Sequence, residues 1–321
     1  MITIVTGAAG FIGSHLCDAL ISRGDQVIGI DDYSTGRKTN LAHLESNPRF
    51  TCLTADITNP AALAEVAPTA HRIFHLAAAV GVQYVMAHPV KSVKENVLGA
   101  LNVLQYSKDF RIPLFLASSS EVYGVGNQLP LKEEDSLILG APTTLRWGYG
   151  CSKATGEFLA IGHHRQEEVP VVIGRFFNIC GTRQVGRYGM VIPRFVKAAL
   201  TGEPLTIYGD GSQVRSFTSV SDAVRAVLAL MEGESHFGEI FNIGNPQPTS
   251  ILELARQIIK ITGSSSQIKL LSFEQVFGSG FSDMAYRVPD ISKLKSAIGF
   301  TPEIDLRDSL LDIIEYWREQ L

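Results

Sequence analysis

Six short apolar runs set the frame of this chain: ITIVTG (2–7), QVIGIDD (26–32), FTCLTAD (50–56), RIFHLAA (72–78), PLFLASS (113–119) and VVIGRFF (171–177). Each is nearly continuous in apolar residues instead of alternating with polar ones. That is the pattern of strands buried on both faces of a parallel sheet. Helical stretches lie between them, among them GSHLCDALISRG (13–24) and NVLGALNVLQYSKDF (96–110). A parallel strand has to be reached by a crossover, so this alternation predicts a doubly wound α/β sheet.

A later run, EIFNIG (239–244), follows the helical DAVRAVLALME (222–232) and is expected to return to the same sheet. Segments 181–215 and 246–321 are richer in Gly, Pro and basic residues. They are expected to form a smaller, discontinuous lobe over the carboxyl ends of the strands, where ligands of open α/β sheets bind. The expected division is therefore a domain at 1–180, with 216–245 returning to it, and a lobe from 181–215 and 246–321. The C-terminal LRDSLLDIIEYWREQL reads as an amphipathic closing helix.

The chain has 321 residues, 45% of them hydrophobic, enough for one large or two modest domains. Its net charge is −4 and no Lys/Arg run stands out, so nucleic acid is not an expected partner. The longest apolar runs, such as IFHLAAAVGV (73–82), are too short to span a bilayer, and no targeting segment is visible. A cytoplasmic protein without membrane contact is the expectation. Cys17, Cys52, Cys151 and Cys180 are scattered with no CxxC pair, which reads as reduced thiols. His163 and His164 are adjacent and point to different sides of a helix, so no metal site is expected.

The first strand runs into Gly7-Ala8-Ala9-Gly10-Phe11-Ile12-Gly13, and a helix follows at once. The glycines permit a tight turn and let the backbone approach a pyrophosphate, while the helix N-terminus offers N–H groups and a positive dipole end. The second strand ends in Asp31-Asp32, and Asp31 stands 18 residues past Gly13 (31 − 13). That is close to the spacing at which an acid accepts the adenosine ribose hydroxyls. A carboxylate there repels a 2′-phosphate, which favours NAD over NADP. Asp56, at the end of the third strand, is placed either to accept from the adenine amino group or to cap a helix.

In YGCSKATGEFLA, Tyr149 and Lys153 are four residues apart (153 − 149), on one face of a helix. A cation beside a phenol lowers the phenol's pKa and makes Tyr149 a base near neutral pH. SSSEVYG (118–124) closes the fifth run with Ser119 and an unexpected carboxylate, Glu121.

Taken together, GAAGFIG, Asp31, HLAAA (75–79), Asn96, SSSEVYG, the Tyr149/Lys153 pair, RFFNICG (175–181) and YGDGSQVRSF (208–217) resemble the extended short-chain dehydrogenase/reductases that modify nucleotide sugars. The resemblance covers nearly the whole chain. It implies a Rossmann-type doubly wound parallel sheet with bound NAD, a smaller discontinuous C-terminal lobe for the nucleotide sugar, and a homodimer built through two helices. It also implies that Ile57, Leu76, Ala77, Ala78 and Asn96 join Gly7, Gly10, Phe11, Ile12, Gly13, Asp31, Asp32 and Asp56 around NAD. Tyr149 would take the proton of the sugar 4-hydroxyl, Lys153 would hold the nicotinamide ribose, and Ser119 would bond the sugar O4. Asn178, Arg215 and Arg287 would hold the diphosphate. Ser120, Val191, Thr206 and Tyr208 would complete the substrate site, although Tyr208 reads equally well as a core aromatic.

Three reactions share oxidation at C4: 4-epimerisation, 4,6-dehydration, and decarboxylation of a hexuronate. Dehydration and decarboxylation benefit from a further acid/base near C5 and C6, and Glu121 is the candidate. Ser119-Ser120-Glu121 resembles the Thr-Ser-Glu of UDP-glucuronate decarboxylases and GDP-mannose dehydratases. Arg146-Trp147-Gly148-Tyr149 resembles the RW-x-Y of UDP-sugar decarboxylases. GRYGMVIPRF (186–195) is shared widely with 4-epimerases. These matches favour decarboxylation of a UDP-hexuronate, with epimerisation as the alternative and dehydration behind it. A non-catalytic NAD-binding regulator would be expected to lose the Tyr149/Lys153 pair, which is present.

Overall fold

The computed structural model describes every residue except 65, 67–69, 127–128, 187–188 and 278–283. Residues 187–188 of the GRYGMVIPRF stretch and 278–283 of the C-terminal lobe segment thus lie outside the described residues.

The apolar runs become the strands of one parallel sheet. These are β1 (Ile2–Thr6), β2 (Gln26–Asp31), β3 (Phe50–Thr54), β4 (Arg72–His75), β5 (Leu114–Ser119) and β6 (Val171–Phe176). After β7 (Leu205–Tyr208) and β8 (Val214–Ser216), β9 (Ile240–Ile243) returns to that sheet. The strand order is β9-β6-β5-β4-β1-β2-β3, and every neighbouring pair is parallel. Successive side chains of a strand leave on opposite faces. Ile4, Ile73 and Leu114 therefore enter one core, and Val5, Phe74 and Phe115 enter the other. With both faces covered there is no polar alternation to see in the sequence.

Among the described helices, five cover the two faces or begin the lobe. They are α1 (Phe11–Ser22), α2 (Pro89–Phe110), α3 (Trp147–Glu167), α4 (Val191–Thr201) and α5 (Val220–Leu230). Leu16 and Leu20 of α1 and Val224 and Val227 of α5 cover the Val5 face. Val103 and Leu104 of α2 and Ala160 of α3 cover the other. Full burial of each such side chain stabilises the fold by about 1.5–3 kcal/mol.

The chain winds outward in opposite directions from β1 and from β4, so the strand order reverses between these two neighbours. A crevice opens at the carboxyl ends of strands at such a point. Above it, β7 pairs in parallel with β11 (Ile268–Leu271), while β8 lies between β10 (Pro248–Ser250, antiparallel) and β12 (Tyr286–Arg287, parallel). β7 and β11 share a third core with α4, α6 (Ile251–Thr262) and α7 (Leu306–Gln320), built on Phe195, Ile207, Leu254, Ile258, Leu310 and Ile313. None of the described helices is long and apolar enough to cross a membrane.

Candidate active site

A cleft of about 510 Å³ runs from the β1–β4 crevice to the small strands above it. Its cofactor end is shaped by the glycine turn. Gly7 has φ +71°, and a Cβ there would sit 2.7 Å from the Ala77 amide nitrogen, so only glycine lets the β1 and β4 loops meet. Gly10, Phe11, Ile12 and Gly13 line the cleft at the start of α1. Leu76, Ala77 and Ala78 face them from the β4 loop, with Asp56 and Ile57 from the β3 end. Asp56 also accepts the Thr58 amide at 2.8 Å.

Asp31 and Asp32 both border this space. Asp31 is buried, and its two oxygens accept the Ala9 and Tyr33 amides, each at 2.8 Å. Burial raises its pKa, and those two amide bonds oppose the rise. Each oxygen keeps a lone pair for a ribose hydroxyl. A bare glycine cradle, a helix N-terminus and a carboxylate at the β2 end are the donor and acceptor set that a dinucleotide needs, and the residues present fit NAD. Asn96 differs from expectation. It does not line the cleft but clamps the β4 loop, taking the Ala79 amide at 2.8 Å and donating to Ser152 Oγ at 3.1 Å. Its position explains this, because it sits on a buried turn of α2 behind that loop.

The reacting end is assembled at the close of β5. Ser119 ends the strand, and its hydroxyl accepts the Glu121 amide at 3.2 Å, which starts a tight turn over Ser120–Tyr123. Below it, Val122, Tyr123, Trp147 and Phe177 form a compact apolar floor. α3 presses on this turn at Gly150, where a Cβ would lie 2.5 Å from the Glu121 carbonyl oxygen. The spacing on α3 then delivers Tyr149 and Lys153 to the cleft, with the Ser119 hydroxyl hydrogen-bonded to the Tyr149 phenol.

The electrostatics depart from the sequence expectation in two ways. Lys153 donates to the Ala117 carbonyl at 2.9 Å, and burial lowers its pKa to about 8, with the Glu157 charge opposing. The Tyr149 phenol is not depressed by it. Burial, and then the Glu121 charge, push the phenol's pKa up, and the Ser119 hydrogen bond and Arg287 only partly offset this. Glu121 behaves in the opposite sense. Burial would raise its pKa, but Arg287 and Arg146 outweigh burial and hold it down at about 2. Arg287 Nη1 bonds one carboxylate oxygen, and Arg146 Nη1 stands 3.3 Å from the other. Arg287 was expected on the diphosphate. Here it is drawn to Glu121, because a buried carboxylate needs a cation.

Asn178, Val191, Tyr208 and Arg215 line the lobe side of the cleft, and Ser120 faces them from the β5 end. Asn178 Nδ2 donates to the Ser216 carbonyl at 2.8 Å. Arg215 Nη1 bonds the Val214 and Met284 carbonyls at 2.9 and 2.8 Å. Thr206 does not border the cleft; its carbonyl accepts from Arg194. Sequence reasoning missed three contributors. Arg146 appeared only as part of a motif, and nothing in its spacing marked it as a partner of Glu121. Glu157, one turn beyond Lys153, is buried and accepts Ser118 Oγ at 2.5 Å and two Arg175 nitrogens at 2.9 and 2.8 Å, bracing the ends of β5 and β6. The third is Arg194. Among the described residues no His/Cys/Asp/Glu cluster is arranged to hold a metal ion, and the four cysteines are free.

The chain is similar to known proteins over almost its whole length. A family model described as "NAD dependent epimerase/dehydratase family" matches residues 3–244. A UDP-N-acetyl-alpha-D-glucosaminuronate decarboxylase of Bacillus cytotoxicus is 39% identical over 98% of this chain and 97% of its own. UDP-glucuronic acid decarboxylase 1 of Arabidopsis thaliana is 41% identical over 99% of this chain and 70% of its own. Among solved structures, a UDP-glucuronic acid 4-epimerase from Bacillus cereus, in complex with UDP-glucuronic acid and NAD, superposes with a TM-score of 0.89 at 32% identity, covering all of both chains. A strand-order reversal at β1 and β4, a glycine cradle closed by Asp31, a Ser119–Tyr149–Lys153 centre and these likenesses agree: the chain belongs to the NAD-dependent epimerase/dehydratase family.

Proposed function

We propose that this protein decarboxylates a UDP-hexuronate. The observation that carries the reading is the ionised Glu121 held between Arg287 and Arg146 beside Ser119 and Tyr149. The decarboxylases are also more similar in sequence than the epimerase structure, 39–41% against 32% identity.

NAD, when bound, supplies the hydride acceptor for C4. Tyr149 takes the C4 hydroxyl proton, and Ser119 holds the oxygen. The high pKa of the phenol makes Tyr149 a strong base once it is ionised, and Lys153 is the nearby cation that a bound ribose would share. The 4-ketone lies β to the C6 carboxylate. The C5–C6 bond then breaks, carbon dioxide leaves, and the electron pair moves onto the C4 oxygen, where Ser119 and Tyr149 stabilise it. C5 next takes a proton from water, and C4 then takes back its hydride while Tyr149 returns the hydroxyl proton, so no net oxidant is consumed. With a pKa near 2, Glu121 is no proton store in the ligand-free site. Its part in this reading is to aim Arg287 at the C6 end of the sugar, where a guanidinium fork matches a carboxylate.

The test is to supply the protein with UDP-glucuronate and UDP-N-acetylglucosaminuronate separately and weigh the products. Loss of carbon dioxide from one of them supports the reading and names the sugar. An isomer of unchanged mass would establish the second reading, a 4-epimerase, which the likeness to the Bacillus cereus structure favours. Loss of water would mean a dehydratase. We further propose a cytoplasmic homodimer, in which the cofactor domain spans 1–180 with 216–245 and the remainder forms the substrate lobe. On α2 and α3, Val90 is 79% and Phe158 is 74% exposed, an apolar surface suited to a second copy. Light scattering at twice the chain mass, lost in Phe158→Glu, checks the dimer.

A further inference from the structure

The lobe side of the cleft contains polar groups that lack counterparts. Arg194, in the first turns of α4, donates Nη2 to the Thr206 carbonyl at 2.8 Å. Its guanidinium lies 4.2 Å from the centre of the Tyr208 ring. Its Nε and Nη1 are shut off from solvent and meet no acceptor among the described residues. Gln213, just ahead of β8, donates its amide nitrogen to the Tyr208 carbonyl at 2.5 Å. That bond settles which way the amide faces, because a carbonyl partner accepts only from the NH₂ group. Gln213 Oε1 then points elsewhere, buried and without a donor. Both residues line the cleft, and both are fastened to the same residue of β7.

Buried polar groups without partners are costly, and a desolvated guanidinium is the costliest kind. Here unmet donors on Arg194 and an unmet acceptor on Gln213 describe the partner that would satisfy them. Gln213 and Arg215 are two residues apart along an extended segment and so share a face. An Arg215 set at a diphosphate leaves Gln213 one step further along the same nucleotide, toward its base.

We propose that Arg194 and Gln213 read the base of the nucleotide and select a keto pyrimidine over an amino pyrimidine. This rests on the nucleotide-sugar reading above. Uracil presents carbonyl oxygens on either side of an N3–H. The C4 carbonyl oxygen answers Arg194, and the N3–H answers Gln213 Oε1. Cytosine turns a ring-nitrogen lone pair toward Gln213 Oε1 and exchanges a carbonyl for an amino group, so acceptor meets acceptor and donor meets donor. A site built from buried hydrogen-bonding groups rejects a mismatched analogue strongly, because its own groups stay unpaired.

The test is calorimetric titration of the NAD-loaded protein with UDP and with CDP, two ligands of equal size that differ in this edge. The wild type is expected to bind UDP about 100-fold more tightly than CDP. Arg194→Met keeps the stem and removes the donors. It should weaken UDP by about 10- to 100-fold and bring the two affinities close together. Gln213→Leu should narrow the same ratio. Unchanged NAD content and a single cooperative thermal transition show that each variant is folded. Tight UDP binding with an undiminished UDP/CDP ratio in both variants overturns the base-reading pair and leaves the nucleotide-sugar reading standing. A wild type that binds neither nucleotide overturns both.

Discussion

The two ends of the cleft are built to different standards of completeness. At the cofactor end, polar side chains are closed off by the protein itself: Asp31 by two backbone amides, Asn96 by Ala79 and Ser152, and Thr6 by His75 at 2.7 Å. At the substrate end, Arg287 Nε, Arg194 Nε and Nη1, and Gln213 Oε1 are buried without acceptors or donors. The first end is part of the folding problem and is finished when the chain folds. The second keeps particular polar atoms that only a ligand would finish, and those atoms cost stability until one arrives. The same substitution type should therefore have opposite consequences at the two ends.

The largest effect should come from the centre where the two ends meet. Tyr149→Phe removes the proton acceptor, so turnover should fall about 10³-fold while NAD content and UDP affinity, read by absorbance and calorimetry, stay near wild type. Next is Glu121→Gln. Glu121 has a folded pKa of about 2 against an ordinary 4.5, so its contribution is complete above about pH 4.5 and is lost as the pH falls toward 2. The wild type should exceed the variant by about 3 kcal/mol in urea unfolding at pH 7, and the gap should close in acid. A pH-independent gap would mean that the carboxylate's charge is not what stabilises the two arginines.

Gly7→Ala should act at the cofactor end alone. The added methyl meets the Ala77 amide and φ is +71°, so stability should fall by about 2 kcal/mol and NAD binding by tenfold or more, with UDP affinity retained. The smallest effect, and the sharpest for the comparison, is Arg194→Met. In the absence of ligand it should raise stability by about 1 kcal/mol, because it removes a buried guanidinium with unmet donors. Saturating UDP should reverse the order of wild type and variant. If the variant is destabilised without ligand, the substrate end is not held in an unsatisfied state.

What could be read in the sequence divides along similar lines. The strands of the large sheet were visible because double-sided burial leaves unbroken apolar runs. The glycine turn, Asp31 and the Tyr149/Lys153 pair were visible because each is a local spacing fixed by one turn or one helix. Glu121 stood out as a carboxylate at a strand end, but its partners did not. Arg287 lies 166 residues away, and no spacing rule links them. Arg194 and Gln213 both meet Tyr208 only because α4 and the segment ahead of β8 pack against the end of β7. Asn96 and Thr206 were assigned to ligands from motif context, whereas each holds another segment of the protein. A motif marks a neighbourhood, and only tertiary structure says which side of the wall a residue faces.

Asp31 carries a consequence for redesign. Switching a dinucleotide enzyme toward the phosphorylated cofactor starts with neutralising the acid at the end of the second strand. In this protein that carboxylate also fastens Ala9 and Tyr33, and Tyr33 holds a left-handed backbone with φ 59°. Removing the charge would release the loop that has to receive the new phosphate. A change of cofactor preference here is a two-residue problem at least: the substitution that admits the phosphate must be matched by one that rebuilds the latch.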